Sequence, residues 1–581
     1  MQEPPGTIAR PREFVLVSLA GLALAVFMTW PLATGLGSLG RTQSVDADGQ
    51  YSIWNIAWVS RTLVADPRHL FDANIFYPHK TTLAYSEANL LPGAIAIPVY
   101  WLTHNPWLTT NVVLLIAFAS AYVCAYLFLR HVCGDRRAAA VGGLLYAFCP
   151  YVFSHLSHMQ LLFTGGIPLS LLMLHRVADE AFRLKAEATG TKRAEAAGTK
   201  GSRRKISIGG LALGAALAAQ ALSCAYYGVF AGLMVGYGAL ILASTRRLWN
   251  SPRYWSAIAT GAATSMVIVL PVFLQYRRVQ ADSGFGRTIE DAARWAAAPR
   301  DYLVSSAHAH AWLLAIVRRS GPWSGEVLFP GLMAVACGAA GLVIAAGAAR
   351  RDERAREAIL LYGGLGILAF WASFGPVAGL YRVLYHLPAF SFLRAPSRMG
   401  LVAVLALAVF ASIAMRALFT AVPDRRRNLA AALAGVVAVG ELTLMPIRWY
   451  RAPVIPAPYS VLAASPRGPV AEFPFYGERI AFPLHAQYML FSTSHWMPLV
   501  NGYSDVIPLD FRNAAIVLDS FPSNDAFIVL ARHRVRYITV HWDMFGPRQA
   551  EIHQRLERYS ANLRTLSSDD RMTLYEVVKY P

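Results

Sequence analysis

Charge is scarce in this sequence. Only 15% of its 581 residues are Asp, Glu, Lys or Arg, while 55% are hydrophobic; an average soluble domain carries about 25% charged residues. Acidic residues are the scarcer sign, 34 against 53 Lys and Arg. A formal net charge of +19 would suit nucleic acid, but the cations fall mostly between apolar runs, as in the cytoplasmic loops of membrane proteins. No nucleic-acid partner is expected. Cysteine is rare too. Cys124, Cys133, Cys149, Cys224 and Cys337 lie in or near apolar runs, and no two have metal-ligand spacing, so neither a disulfide framework nor a zinc site is expected. There is no phosphate-binding P-loop, no dinucleotide glycine fingerprint, no serine nucleophile elbow and no zinc-binding helix. A mechanism on soluble nucleotide sugars is not expected.

What the chain does have is a series of apolar runs near the roughly 20 residues that cross a bilayer. They fall at about 14–31, 111–130, 138–153, 159–175, 207–224, 227–245, 255–275, 327–349, 357–375, 399–419 and 428–446. The first lacks a clear small-residue cleavage site and reads as helix one, not as a signal peptide. Leu90 to Leu102 contains Pro92 and Pro98 and is too short to span, so it reads as interfacial or re-entrant. With that segment left out, the N-terminal arm with Arg10 and Arg12, the turn Arg130, Arg136 and Arg137, the Lys/Arg-rich stretch 176–205 and the clusters at 246–247, 350–356 and 425–427 all fall on the cytoplasmic side. Stretch 176–205 ends in a local near-repeat, 187–192 and 195–200, of flexible-loop composition. The expected fold is a polytopic α-helical membrane protein with about 11 transmembrane helices over residues 1–450. Its first outer loop spans 34–108 and its second 276–326, the latter with Trp323 and a lid role in view. A Pro/Ala linker at 451–466 leads to a small extracytoplasmic α/β domain at 467–581.

Four constellations could carry chemistry. Asp46 and Asp48 sit two apart at the mouth of the first span, with Glu87 in the same loop. A carboxylate there can act as general base or hold a divalent cation against phosphate oxygens; an ordinary acidic loop is the alternative. His155 and His158, three apart so that they could share one helical face at the outer end of a span, stand with Gln160 at an outer turn, as acid/base or phosphate contacts or as simple solvation of a helix end. Arg394-x-Pro396-x-Arg398 begins a span on the outer face, where two guanidinium groups can grip a phosphate; snorkelling anchors are the alternative. His495, Trp496 and Asn501 lie in a polar, aromatic stretch that suits carbohydrate, or merely docks the domain.

The strings Asp46-Ala-Asp48-Gly-Gln-Tyr-Ser-Ile-Trp54-Asn55, Phe148-Cys-Pro150-Tyr-Val-Phe-Ser-His155-Leu-Ser-His158-Met-Gln160, Phe392-Leu-Arg394-Ala-Pro396-Ser-Arg398 and His495-Trp496-Met-Pro498-Leu-Val-Asn501-Gly502-Tyr503, in this layout, resemble the GT-C glycosyltransferases. Within that superfamily the chain is similar to YfhO-like and polyprenyl-phosphate-mannose mannosyltransferase-like bacterial proteins. The resemblance implies a polyprenyl-phosphate sugar donor, transfer with inversion, and Asp46 or Asp48 as base or ligand of a divalent cation such as Mg or Mn. The roles of His155, His158, Arg394 and Arg398 come from position and chemistry instead. The sequon-reading Trp-Trp-Asp motif of oligosaccharyltransferases is absent, which favours a glycan, lipid or cell-envelope acceptor at the plasma membrane over protein. The rival readings are a flippase for a lipid-linked saccharide, with Glu441 as its best intramembrane acid, and a non-catalytic envelope assembly protein.

Overall fold

A computed structural model describes residues 11–41, 46–189, 198–284, 286–320, 325–387, 390 and 393–581, with the side chains of 186–189 and 198–205 left aside. Arg10, most of the near-repeat, Trp323 and Phe392 lie outside the described residues or side chains. Among the described residues, seven helices are long and apolar enough to cross a membrane: Pro11–Met28, Pro106–Cys133, Ile206–Ser223, Ala225–Thr245, Pro252–Ser283, Glu353–Ser373 and Pro396–Ala421. The chain is a multi-pass membrane protein.

The expected count of 11 meets shorter helices at the remaining positions. Arg136–Ala147 has 12 residues, Leu332–Ala348 has 17 and Arg427–Leu442 has 16. Local chemistry explains the first break. Pro150 cannot continue a helix or leave its predecessor helical, so the run through 153 splits after Phe148 and resumes as the short helix Pro150–Ser154. The next run breaks again at Phe163–Gly165 before Gly166–Thr189. Leu90–Thr103 is a helix of 14 residues, about 21 Å at 1.5 Å per residue, short of the hydrocarbon thickness.

Pro106–Cys133 shows how sequence sets the bounds of a span. Asn105 accepts the Leu108 N–H at 2.9 Å, Pro106 takes the first helical position, and Gly134 ends the helix with φ 71°, in the left-handed region that glycine adopts without strain. Small residues then bring spans together. A Cβ on Gly341 would come within 1.8 Å of the Phe410 carbonyl oxygen, so Leu332–Ala348 can lie against Pro396–Ala421 only with glycine there.

The loop after the first span and the C-terminal segment share one core. Tyr51, Trp54, Trp58 and Phe76 pack with Phe473, Trp496, Phe511 and Ile538. Helix Ala47–Ala65, buried on most of its surface, therefore lies between membrane bundle and C-terminal layer. Among the described residues there are six strands. Strand β1 (Leu39–Gly40) pairs antiparallel with β2 (Tyr450–Arg451), tying the first loop to the segment that follows helix Arg427–Leu442. The others form a sheet in the order β3 (Val470–Phe473), β4 (Tyr537–His541), β6 (Met572–Val577), β5 (Leu563–Ser568), with β3 and β4 parallel and the rest antiparallel. Every residue of β3 and β4 is buried, including the polar Glu472, Thr539 and His541; Thr539 and His541 both hydrogen-bond to Glu472. The Pro/Ala stretch carries helix Pro458–Ala464, whose Tyr459 and Leu462 are fully buried.

Candidate active site

Asp46 and Asp48 have different jobs. Asp46 stands just before helix Ala47–Ala65 and accepts the Gly49 N–H at 3.1 Å, the usual work of an N-cap carboxylate. Its other oxygen accepts from Arg41 Nε at 3.1 Å and from Ser157 Oγ at 2.8 Å. Asp48, in the first turn of the helix, points elsewhere. His158 Nε2 lies 3.2 Å from its Oδ2, and Tyr503 donates to its Oδ1 at 3.2 Å. Half of the Asp48 side chain (49%) stays accessible, so the carboxylate faces an open recess at the loop-bearing end of the bundle. Burial pushes its pKa up, but the hydrogen bond and charge of His158, with help from Tyr503 and Arg394, outweigh this and hold the group below the ordinary carboxylate value.

The two carboxylates thus do not suit the shared cation expected of them. Asp46 is committed to a helix cap, an arginine and a hydroxyl. Among the described residues no cluster of three or more His, Cys, Asp or Glu is placed to hold a metal, and no step below runs through one.

His155 and His158 do not share a helical face. Helix Pro150–Ser154 ends before His155, and His158 precedes the next short helix. Their rings nonetheless lie 6.0 Å apart. His155 is 9% exposed, with Nδ1 2.8 Å from the Tyr151 carbonyl and Nε2 3.8 Å from Glu326. Burial, aided by the nearby His158 and Arg398 charges, lowers its pKa to about 3. His155 is a neutral wall of the recess. Burial also raises the pKa of Glu326, against the charges of Arg398 and His158.

Arg398 is nearly buried nearby. It is 8% exposed, and its guanidinium lies 4.2 Å from the centre of the Tyr226 ring. Among the described residues no carboxylate lies within ion-pairing distance of it and its side chain donates no hydrogen bond. The charges of Glu87 and Glu326 act on it from farther off. A nearly buried cation without a contacting anion is costly, and the natural remedy is an anionic ligand. Arg394 is differently disposed: it pairs with Asp505 at 2.9 Å, and Arg287 meets the same carboxylate at 3.2 Å. Burial pushes the Asp505 pKa up, and Arg394, Arg287, Ser86 and Arg398 together pull it below the ordinary value. Both oxygens of Glu87 accept the Ala225 N–H at 3.2 Å, at the start of helix Ala225–Thr245. Burial raises Glu87 to about 7 in spite of that bond and of Arg398.

The recess therefore gathers Asp48, His155, His158, Glu87, Arg394 and Arg398. Tyr503 joins it from the far end of the polar, aromatic stretch that begins before His495, and Glu326 and Asp505 join it without having been expected. Asp505 lies two residues beyond Tyr503, and a lone Asp there was the only signal for it. His495, Trp496 and Asn501 have other partners. His495 stacks on Tyr459 at 5.3 Å and accepts the Met497 N–H. Trp496 packs on Trp58 at 5.6 Å and under Arg61. Asn501 is fully buried, exchanging hydrogen bonds with the Glu472 backbone. These three build and dock the C-terminal layer, and none contacts the recess residues. Glu441 is no mid-membrane acid: at the end of Arg427–Leu442 it meets His310 at 3.0 Å and caps the Met333 N–H.

The chain folds as a membrane bundle with a first loop that carries an acidic helix start and a C-terminal α/β layer closed over it, and solved proteins share this fold. No family model matches the chain, and no curated protein matches its sequence. In shape it is similar to the archaeal oligosaccharyltransferase AglB from Archaeoglobus fulgidus in complex with an inhibitory peptide and a dolichol-phosphate. That comparison gives a TM-score of 0.50 at 13% identity, over 93% of this chain and 70% of that one. The Archaeoglobus fulgidus oligosaccharyltransferase tethered with an acceptor peptide containing the NVT sequon gives 0.50 at 12% identity, over 97% and 74%. ArnT from Cupriavidus metallidurans in the apo state overlaps more loosely, with a TM-score of 0.45 at 14% identity over 97% of each chain.

Proposed function

We propose that this protein is a membrane glycosyltransferase. It moves a sugar from a polyprenyl-phosphate donor to a glycan, lipid or cell-envelope acceptor at the extracytoplasmic face of the plasma membrane. The observation that carries the reading is Arg398, a nearly buried cation without a contacting anion, in the same recess as the half-open carboxylate of Asp48. The donor supplies the missing anion: its phosphate sits against Arg398, with Arg394 at the rim.

In the proposed step an acceptor hydroxyl attacks the anomeric carbon from the side of Asp48. The new bond joins acceptor oxygen to anomeric carbon, the bond from that carbon to the phosphate oxygen breaks, and the configuration inverts. A carboxylate with a depressed pKa is a weak base at rest. Asp48 first orients the hydroxyl and takes its proton only as bonding to the sugar acidifies it. Arg398 stabilises the negative charge that builds on the departing lipid phosphate. Asp46 and His158 hold Asp48 in place, as positioning residues.

The test is binding of undecaprenyl phosphate to the purified protein, followed by sugar transfer from a panel of polyprenyl-phosphate sugars. Arg398→Ala is expected to weaken lipid-phosphate binding about tenfold to a hundredfold, the worth of one charge-assisted hydrogen-bonded contact, and to abolish transfer. Unchanged lipid-phosphate affinity in a folded Arg398→Ala variant overturns the assignment.

A further inference from the structure

The second outer loop carries a helix whose exposed side is apolar. The segment leading to it is fastened to the loop-bearing ends of three bundle helices. The Ala297 N–H donates to the Ser373 carbonyl at 2.9 Å, and the Tyr302 and Ser373 hydroxyls lie 2.8 Å apart, at the end of Glu353–Ser373. The His308 N–H donates to the Thr443 carbonyl at 3.2 Å. His310 is fully buried and meets Glu441, in the last turn of Arg427–Leu442, at 3.0 Å. The same carboxylate accepts the Met333 N–H at the start of Leu332–Ala348. Helix Ala311–Arg319 follows directly, so it begins level with these helix ends, where hydrocarbon gives way to headgroups. It also begins at the perimeter. Leu429, Leu433 and Val437 of Arg427–Leu442 are exposed, as are Leu332 and Val335 of Leu332–Ala348, the apolar faces that a membrane bundle turns to lipid.

The helix has nine residues. Leu313 and Val317 are buried, and the helix packs on the loop's own short turns at Pro299–Leu303 and His308–His310. Trp312 and Ile316, four apart and so on one face, are 51% and 52% exposed. Both of its charges are gathered at the end, in the exposed Arg318 and Arg319. Among the described residues neither arginine is ion-paired. Two large apolar side chains held side by side towards the outside are not what water selects. Tryptophan favours the membrane interface, and arginine can lie along hydrocarbon with its guanidinium among phosphates. We propose that helix Ala311–Arg319 docks into the phospholipid leaflet at the loop-bearing end, with Trp312 and Ile316 entering the acyl boundary and Arg318 and Arg319 meeting lipid phosphates. Depth and charge choose this occupant. The helix starts where phosphates lie, its basic end matches them, and its apolar stripe continues the lipid-facing surface of Arg427–Leu442 and Leu332–Ala348. Glu326, which reaches the recess beside His155, follows in the same loop, so the anchor holds one edge of the recess at headgroup level. The anchoring does not depend on the activity proposed for the recess.

The experiment uses the full chain in nanodiscs of dioleoyl-phosphatidylcholine and dioleoyl-phosphatidylglycerol. A nitroxide is placed in turn at Ile316→Cys, Val343→Cys and Ile480→Cys, and the signal of the identically treated parent is subtracted. Val343, 72% exposed within Leu332–Ala348, reports lipid; Ile480, 87% exposed on the C-terminal layer, reports water. Power saturation compares collisions with oxygen, which concentrates in hydrocarbon, and with a neutral nickel chelate, which stays in water. The label at Ile316→Cys is expected to favour oxygen, as at Val343→Cys, while Ile480→Cys favours nickel. Should Ile316→Cys fail to fold, Trp312→Cys reads the same face. Adding Arg318→Gln and Arg319→Gln to Ile316→Cys is expected to raise collisions with nickel, as the helix end loses its hold on phosphate. A label on the helix as open to nickel as that at Ile480→Cys overturns the proposal. So does protection from both reagents, since protein would then cover the face, and so does an unchanged reading once both arginine charges are removed.

Discussion

Asp46→Asn and Asp48→Asn make a matched pair of perturbations, since each removes one charge and keeps the side-chain shape. Asparagine is as good an N-cap as aspartate, so Asp46→Asn keeps the bond to the Gly49 N–H. It loses the charge facing Arg41, whose side chain is 32% exposed; an ion pair that solvent reaches so readily is worth about 0.2–1 kcal/mol. Transfer should fall less than about tenfold, with a small drop in melting temperature. Asp48→Asn keeps the N-cap and removes the half-exposed carboxylate of the recess. The amide oxygen can still accept from Tyr503, but the group can no longer take a proton. Loss of a general base costs about 10²–10⁴-fold in rate, or roughly 3–5 kcal/mol at 1.36 kcal/mol per factor of ten. The protein should fold as before, because that carboxylate is half exposed. The assay is transfer from a polyprenyl-phosphate sugar, beside thermal unfolding in detergent. The reasoning is refuted if Asp48→Asn transfers at the parent rate. It is equally refuted if a normally stable Asp46→Asn loses as much activity as Asp48→Asn.

Two further outcomes follow from the same geometry. Tyr503→Phe deletes one hydrogen bond to the Asp48 carboxylate, a bond to a charged group worth about 1.5–3 kcal/mol; transfer should drop roughly tenfold to a hundredfold with lipid-phosphate affinity unchanged, and a drop in that affinity instead would show that Tyr503 serves the donor. Glu87, raised by burial to about 7 from an ordinary 4.5, binds its proton more tightly folded than unfolded. Its contribution to stability is therefore whole below about pH 4.5 and is lost as pH rises towards 7. Melting curves between pH 5 and pH 8 should fall more steeply for the parent than for Glu87→Gln, and parallel curves would contradict the assignment.

Much of this was legible in the residues, and the limits have physical causes. The spans, the short helix at 90–103 and the buried strands β3 and β4 follow from hydrophobic runs and their lengths. The distinction between Asp46 and Asp48 depended on where one helix begins, and a carboxylate just ahead of an amphipathic run is a recognised start signal that a focus on the pair passed over. The histidines mislead for the opposite reason. Their spacing suggests one helical face, but Pro150 sets a short helix that ends at Ser154, and the chain brings the rings together by a turn instead. The density of polar and aromatic groups at 492–503 read as carbohydrate contact, whereas Trp496 and Asn501 are consumed in packing and only Tyr503, at its far end, reaches the recess.

Asp505 and Arg398 show why the rest was out of reach. An aspartate in a C-terminal turn is unremarkable until it meets Arg394, 111 residues earlier, and Ser86, 419 residues earlier. No periodicity encodes such distances; they follow from the shared core in which Trp54, Trp58 and Phe76 pack against Phe473 and Trp496. That apolar contact does chemical work. By seating the C-terminal layer on the first loop, it carries Tyr503 to Asp48 and Asp505 to Arg394 and Arg287. Asp505 engages two of the three arginines near the recess and leaves the deepest, Arg398, without a contacting anion. Which arginine is left for the donor phosphate of the proposed function is thus set by hydrophobic docking some distance away, through the choice of which arginine the protein's own carboxylate satisfies.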